Sequence, residues 1–257
     1  MKLAKLPPIV LFIFMFISIT TAVITTAGAN ATVIHVPEDY PTPSQALIHA
    51  SDGDTIVVNG TYNEALNIGK EVSIVGGTLG CTLENYIWIK ASNITLANLT
   101  IDTDGTGILV GYYSDPFRTN VSIEGCNIIN ATDGMVIINS EVNVSNTTAS
   151  TFRYSLRPIS SWVRVEDCSL QSDVFATDNG FFSMHNTTIY GKTSPVYLYN
   201  VDGEIEDAFL TGEQSGVILR NSSSTLSNIS FEGLNIGLYL LNSEGVSAES
   251  ISATNCS

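Results

Sequence analysis

The stretch GVILRNSS, residues 216–223, recurs twenty-one residues later as GLYLLNSE, residues 237–244. In both copies a glycine precedes alternating apolar residues, and an Asn-Ser pair follows them in the same place. Such alternation is typical of a half-buried β-strand, and Asn and Ser favour turns. A strand and a turn that return at a fixed interval indicate a repeat protein, in which each repeat stacks on the previous one.

The same interval runs through most of the chain. Related segments begin at Asn93, Asn120, Glu141, Trp162, Phe181, Asp202, Ser223 and Glu244, and most of them share an apolar fourth residue and a polar or small sixth residue. Their starts are separated by 27, 21, 21, 19, 21, 21 and 21 residues. No segment after residue 91 has a helical period, so each repeat contains only short strands and turns. The sequence therefore predicts an all-β parallel solenoid of about ten coils, with successive coils about 4.8 Å apart.

The segment VIHVPEDYPTPSQALIHASDGDTIVVNGTYNEALNI, residues 33–68, resembles the N-terminal part of right-handed parallel β-helix proteins of the pectin-lyase-like superfamily. It is most similar in style to NosD-type repeats, also called carbohydrate-binding-and-sugar-hydrolase repeats. The resemblance implies a right-handed parallel β-helix solenoid with a short N-terminal capping helix over Ser44–Ala50. Its N-cap would be Thr42 or Ser44. The resemblance implies little about activity, because this architecture hosts many functions.

The N-terminal segment, residues 1–31, is predicted to be a secretory signal peptide. Lys2 and Lys5 precede a largely apolar run, and small residues suited to cleavage follow it. The alternative is an uncleaved anchor, because the run approaches the ~18 residues that suggest a membrane span. Residues 32–53 are then the N-terminal strand and capping helix. Residues 54–257 are the β-helix, which we expect to be open or truncated at its C-terminus, where the chain stops in mid-coil.

The charge balance bounds the class of partner. The chain has 25 acidic and 10 basic residues, a formal net charge of −15; without Lys2 and Lys5 the count is 25 against 8, or −17. Such a surface repels nucleic acid and anionic lipid. The charge therefore predicts no nucleic-acid partner. From the signal peptide and the resemblance we expect a secreted, extracellular or cell-envelope protein whose partner is a polysaccharide or a surface protein. Membrane contact would require the uncleaved signal or a C-terminal anchor beyond this sequence.

Stacking also predicts which polar residues are structural. Asn can adopt the left-handed backbone of a tight bend, and its amide can hydrogen-bond to identical neighbours in adjacent coils. One predicted column is an asparagine ladder, formed by Asn139, Asn200, Asn221 and Asn242. Several glycosylation sequons fall in turn columns by the same logic, so we expect fewer than half of them to be usable. The favoured glycosylation candidates are Asn120, Asn130 and Asn143.

An exterior strip of aromatic and aliphatic residues follows from the same stacking. If Val217 and Leu219 point into the core, the residues that alternate with them point outward. The exterior strip consists of Tyr197, Ile218 and Tyr239 in one column and Tyr199, Arg220 and Leu241 in the next. Such residues are unusual on the surface of a soluble protein. They predict contact with carbohydrate or a partner protein, unless a loop or further sequence covers them.

The sequence offers few residues for catalysis or metal binding. Lyases of the resembled superfamily use a basic residue as proton acceptor beside acidic residues that hold calcium. The candidate bases are Arg153 and Arg157, in RYSLRP, although the family's arginine spacing is absent. Asp102 and Asp104, in IDTDGTG, loosely resemble a calcium loop but lack its other ligands, so a solvated turn is favoured. We predict no metal site and no cofactor, with calcium as the alternative; the Cys, Met and His residues show no copper-site spacing.

Two of the four cysteines can be placed by the repeat. Cys126 and Cys168 share the seventh position of their segments but lie two coils apart. That separation is about 9.6 Å, whereas a disulfide needs Cα atoms within ~7 Å. We predict that they are not paired with each other and that they fill a core column.

These features together predict a secreted or cell-surface β-helix module that is non-catalytic and binds carbohydrate or a partner protein along a lateral face. Two alternatives stay open. One is a polysaccharide lyase or hydrolase of the pectin-lyase-like superfamily, with Arg153 or Arg157 as base. The other is a scaffold fragment of a longer envelope protein, which the mid-coil end of the chain suggests.

Overall fold

The structure, a computed structural model, describes residues 31–114 and 116–256. Apart from Ala31, the predicted signal peptide lies outside the described residues. The secondary structure consists of one helix, Pro43–His49 (α1), and 22 strands within the described ranges. The strands are Val33–Val36 (β1), Thr55–Tyr62 (β2), Leu66–Ile68 (β3), Ser73–Leu83 (β4), Ile87–Ile89 (β5), Ile94–Ala97 (β6), Thr100–Asp102 (β7), Thr106–Val110 (β8), Arg118–Glu124 (β9), Asn127–Ile138 (β10), Ser140–Ser145 (β11), Thr148–Ile159 (β12), Trp162–Glu166 (β13), Ser169–Leu170 (β14), Asp173–His185 (β15), Thr188–Tyr190 (β16), Val196–Thr211 (β17), Ser215–Arg220 (β18), Ser224–Glu232 (β19), Ile236–Leu241 (β20), Ser247–Glu249 (β21) and Ser252–Thr254 (β22).

The strands stack in parallel, one coil on the next. β18 pairs in parallel with β17 on one side and with β20 on the other, and both pairings keep the register that the repeat predicts. The described residues form about 11 turns, close to the ten predicted. The predicted all-β parallel solenoid is therefore confirmed. The core runs through its centre, where Val217 and Leu219 are fully buried.

The capping helix α1 lies at the N-terminal end of the solenoid. Thr42 is its N-cap, as predicted, and the Thr42 Oγ1 accepts a hydrogen bond from the Gln45 N–H. Lys70 stabilises the other end of the helix, because its ammonium donates to carbonyl oxygens that the helix leaves unpaired. These acceptors are the oxygens of Leu47, Ile48 and Ala50, at 3.1, 2.7 and 2.6 Å.

Left-handed residues bend each coil at recurring positions. The four residues of the asparagine ladder have φ between 49° and 54°. Within it the Asn221 amide donates to Asn200 Oδ1 at 3.0 Å. A second turn column alternates Asn with Asp: the amide of Asn186 donates to the carboxylate of Asp167, and that of Asn228 to Asp207. Asp only accepts and an amide can donate, so each pair satisfies a carboxylate at a bend.

The cysteines of the core are free thiols. Cys81, Cys126 and Cys168 are buried and Cys256 is exposed, and none is in a disulfide. Cys126 and Cys168 are not paired with each other, as predicted. Burial raises the pKa of Cys81 to about 12 and that of Cys126 to about 11, and it also raises the pKa of Cys168.

This difference in exposure predicts a simple labelling pattern. In the native protein at mildly alkaline pH, a thiol reagent should label Cys256 quickly, because it is exposed. The three buried thiols should stay unlabelled, since burial both blocks access and keeps them protonated. After denaturation without reductant all four thiols should react. Mass spectrometry of the labelled peptides measures both steps, and fewer than four labelled thiols after denaturation would contradict the structure.

Candidate functional site

The predicted exterior strip has the expected register. Tyr197 is paired with Ile218 and Ile218 with Tyr239, while Tyr199 is paired with Arg220 and Arg220 with Leu241. Tyr239 and Leu241 are 45% and 37% exposed, whereas Tyr197, Tyr199 and Ile218 are half-buried. The Arg220 guanidinium lies over the Tyr199 ring, with its central carbon 5.1 Å from the ring centroid. The six residues therefore form one continuous surface.

Two further aromatic residues extend the strip toward the N-terminus. Phe175 is paired with Tyr197, and their ring centroids are 5.0 Å apart at an interplanar angle of 45°. Tyr154 stacks on Phe175 at 5.5 Å and 19°. Tyr154 and Phe175 therefore stack face to face, whereas Phe175 and Tyr197 are tilted, and the Tyr154–Phe175 stack leaves mainly ring edges toward solvent. Ring edges suit packing against a protein surface better than they suit a sugar ring, which needs an open aromatic face.

A different lateral face carries a groove that the sequence analysis missed. It lies over strands β11, β13 and β15 and has a volume of about 210 Å³. We call it the Trp162 groove, and its lining residues are Glu141, Val142, Asn143, Trp162, Val163, Arg164, Phe181 and Ser183. The parallel register pairs Glu141 with Trp162 and Trp162 with Phe181, and it pairs Asn143 with Arg164 and Arg164 with Ser183. Two exterior columns therefore form its floor, one mainly aromatic and one polar.

The aromatic residues of the groove are accessible. Trp162 is 59% exposed, although its neighbour in the next coil is Phe181. Phe117 contacts Trp162 with a T-shaped geometry, at 6.4 Å and 74°. This contact leaves ring area open to solvent and orients the indole on one side. An oriented, exposed Trp beside a few polar side chains is a common arrangement in ligand sites.

Arg164 is unusual among the cations of the protein. The described residues contain eight lysines and arginines, the ten of the chain less Lys2 and Lys5. The side chain of Arg164 has no hydrogen bond, ion pair or ring contact with any described residue, and the side chain of Arg157 likewise has none. The other six bind carbonyl or carboxylate oxygens or lie over aromatic rings: Lys70, Lys90, Arg118, Arg153, Lys192 and Arg220. Within the groove, the Arg164 guanidinium therefore has its donors available for a ligand.

The structure corrects the interpretation of Arg153 as a candidate base. Its Nε donates to Asp133 Oδ1 at 2.8 Å, and its Nη2 pairs with Asp133 Oδ2. The hydrogen bond to Asp133 raises the pKa of Arg153 above its already high usual value. A guanidinium held in the charged form cannot accept a proton. Arg157 is in register with Val136, and its Nε is buried without a hydrogen-bond partner, so the two arginines do not share an acidic partner.

The candidate calcium residues are engaged with their own neighbours. Asp102 Oδ1 accepts a hydrogen bond from the Asn130 amide at 2.8 Å. The backbone oxygen of Asp104 accepts one from Thr132. Across residues 31–114 and 116–256, no group of three His, Cys, Asp or Glu side chains is placed to hold a metal ion. The solvated-turn interpretation of this segment fits these contacts.

The glycosylation candidates differ from one another more than predicted. Asn120 and Asn130 have φ of 57° and 60°, the left-handed conformation of the turn columns. The Asn120 amide donates to Asn93 Oδ1 and the Asn130 amide to Asp102 Oδ1. Asn120 and Asn130 therefore make ladder-type contacts, and their use as glycosylation sites stays a prediction. Asn143 lies on the exposed face of β11 and lines the Trp162 groove.

Comparison with known proteins finds a structural likeness that is too distant to carry an argument about fold or function. No family model and no curated protein matches the chain. Among solved structures, the chain is similar to a pectin methylesterase from Aspergillus niger in a penultimately deglycosylated form, with a TM-score of 0.42 and 14% identity. The match covers 86% of this chain and 88% of that chain. The class of this protein, a parallel β-solenoid, rests on its own strand register, and the NosD-type resemblance remains a prediction.

Proposed function

We propose that the protein is an exported, non-catalytic binding module that holds carbohydrate on a lateral face of its solenoid. The observation that carries the proposal is the exposed, oriented Trp162 beside the uncommitted guanidinium of Arg164. Sugar recognition combines an aromatic surface for the apolar face of the ring with a few polar groups for its hydroxyls. The Trp162 groove supplies both on adjacent columns.

Two observations support export and a non-catalytic role. Residues 1–31 have the pattern of a signal peptide, which supports export. Separately, no helix within residues 31–114 and 116–256 is long and apolar enough to cross a membrane. Glu141 is the one carboxylate among the described residues that line the groove, and Glu166 and Glu204 lie on neighbouring positions outside this lining. Glycoside hydrolysis uses a pair of carboxylates that flank the scissile bond. Arg153, the first candidate base, is already paired with Asp133.

The exterior strip favours a second candidate, contact with a surface protein. Tyr239 and Leu241 are exposed at one end of it, and the stacked rings at the other end present edges. Aromatic and Arg side chains are enriched at protein interfaces. The two candidates therefore use different faces of the same solenoid and can be separated by substitution.

Trp162→Ala is expected to lower retention on immobilised polysaccharides at least ten-fold, because it removes the aromatic surface of the groove. Affinity electrophoresis through a panel of polysaccharides measures this. Tyr190→Ala is a matched control, since Tyr190 is 50% exposed and contacts Phe209 at 6.4 Å in a T-shaped geometry like that of Trp162 and Phe117. It should bind like the wild type.

A strip variant distinguishes the two faces. Tyr239→Ala should also leave retention unchanged. If it abolishes retention while Trp162→Ala does not, the carbohydrate lies on the exterior strip and the assignment to the groove is wrong. Release of reducing ends or unsaturated products from any polysaccharide in the panel would contradict a non-catalytic role.

A further inference from the structure

The charges around Arg164 bear on the class of sugar. Glu141 lines the same groove, Glu166 is two positions further along β13 on the same face, and Glu204 follows Ser183 in the Arg164 column. Three carboxylates therefore surround one cation. Glu204 lies two coils away, about 9.6 Å by strand spacing, which is near the ~8 Å screening length at physiological salt. Glu141 and Glu166 are nearer, so the local field is negative despite the arginine.

The net charge of the chain acts in the same direction. At −15, the protein repels a polyanion at every repeat unit that lies along its surface. A single Arg–carboxylate pair in an open groove contributes little, because exposed ion pairs are worth ~0–1 kcal/mol. A polymer of acidic sugars would therefore gain one weak pair and meet many like charges.

Hydrogen bonding gives Arg164 and Glu141 a different use. The guanidinium is a rigid, planar donor fork, and the carboxylate is an acceptor with two oxygens. Donors and acceptors of this kind on adjacent columns match neighbouring hydroxyl groups of a pyranose. Asn143 and Ser183 flank Arg164 one coil away on either side and add neutral donors and acceptors. A neutral sugar satisfies all four groups without adding charge.

The size of the groove sets the length of ligand that it holds. Its volume of about 210 Å³ is below the ~300–1,000 Å³ of pockets for drug-sized molecules. It therefore holds one ring-sized unit, packed against Trp162, while the rest of a longer chain continues over the surface. This suits recognition of a unit within or at the end of a polysaccharide.

We infer that the Trp162 groove binds a neutral pyranose unit, with Arg164 and Glu141 as a hydrogen-bonding pair that reads its hydroxyls, and that it discriminates against uronates. This inference rests on the proposed function and adds the sugar class to it. It differs from the expectation that the superfamily resemblance would suggest, an acidic polysaccharide held with calcium.

The test is isothermal titration of the full chain with hexasaccharides of β-linked glucose, mannose, xylose and galactose, and with a galacturonate hexasaccharide. At least one neutral ligand should bind, and the galacturonate should bind at least ten-fold more weakly. Binding of the neutral ligand should change little between low and high salt, because no ion pair forms with it. Arg164→Gln should weaken it about three-fold, the effect of losing one ordinary hydrogen bond in an open groove.

Arg164→Lys separates hydrogen bonding from charge. It keeps the positive charge but loses the planar fork, so it should weaken neutral binding nearly as much as Arg164→Gln. The inference is wrong, while the proposed function stands, if the galacturonate hexasaccharide binds most tightly, if its affinity falls with salt, and if Arg164→Lys keeps that affinity. If no ligand of either class binds, the proposed function falls with it. Tyr190→Ala again serves as the control that should match the wild type.

Discussion

Replacement of Arg153 by Gln is expected to lower the free energy of unfolding by about 2–3 kcal/mol, because it leaves a buried carboxylate without its partner. The side chain of Asp133 is 6% exposed and that of Arg153 is 53% exposed. Breaking a fully buried ion pair costs ~3–5 kcal/mol, and the exposure of Arg153 lowers that figure through solvent screening. Urea denaturation followed by circular dichroism measures the change.

Arg157→Gln is the matched control for this prediction. Arg157 lies on the same strand, β12, but its Nε has no hydrogen-bond partner, so its loss should cost less than about 1 kcal/mol. The double variant Asp133→Asn, Arg153→Gln should be more stable than Arg153→Gln alone, since it removes the unpaired charge. An Arg153→Gln protein with wild-type stability would show that the pair is not structural, and would restore Arg153 as a candidate for chemistry.

The repeat made the fold predictable, because one interval holds wherever the coils are regular. From Asn200 to Asn221 and from Asn221 to Asn242 the register is the same, and the structure pairs Tyr197, Ile218 and Tyr239 as the sequence predicts. Stacking by a constant interval converts position in the sequence directly into position on a column. Where the interval is constant, even exterior residues can be assigned.

The exterior strip predicted from the sequence lacks residues in the coil where the interval varies. The coil that contains Phe175 has a register shift between Thr177 and Gly180, and Asp178 and Asn179 both adopt left-handed backbone there. The sequence separation between Phe175 and its partner Tyr197 is therefore larger than that between Tyr197 and Ile218. A constant interval does not assign Phe175 to the column, although the structure pairs it there. The pattern of apolar residues does not predict the length of a bend, because bend residues are polar and lie outside the core.

The Trp162 groove was missed for a different reason, since its signal is present in the sequence. Trp162 and Arg164 alternate with Val163 and Val165, so their outward direction follows from the strand period of two. The register of the repeat follows from the inward, apolar residues, which say nothing about a groove on the outer face. The outward residues of the same segments place Trp162 beside Phe181, and only the structure shows that Phe117, from a loop between strands, contacts Trp162.

Replacement of Gly216 by Ala is expected to lower the free energy of unfolding by about 3 kcal/mol, at the upper end of the range for overpacking a core. Neither Gly216 nor Gly237 has a left-handed backbone, so close packing requires these glycines. A Cβ at Gly216 would lie 2.4 Å from Phe231 Cε1 and 2.6 Å from the backbone oxygen of Gly237. A Cβ at Gly237 would lie 3.0 Å from Phe231 Cδ2, so Gly237→Ala should cost only about 1 kcal/mol.

Phe231 connects the two glycines, because opposite edges of its buried ring face them. Its Cδ1–Cε1 edge faces Gly216 and its Cδ2–Cε2 edge faces Gly237. Phe231→Leu should therefore relieve the strain of Gly216→Ala, and the double variant should be less destabilised than the sum of the single variants. Thermal or urea unfolding of the four proteins measures this coupling. If the effects of the variants are additive and the two glycine substitutions cost the same, the explanation is wrong. Packing against the Phe231 ring would then not be the reason why glycine occurs at both positions of the repeat.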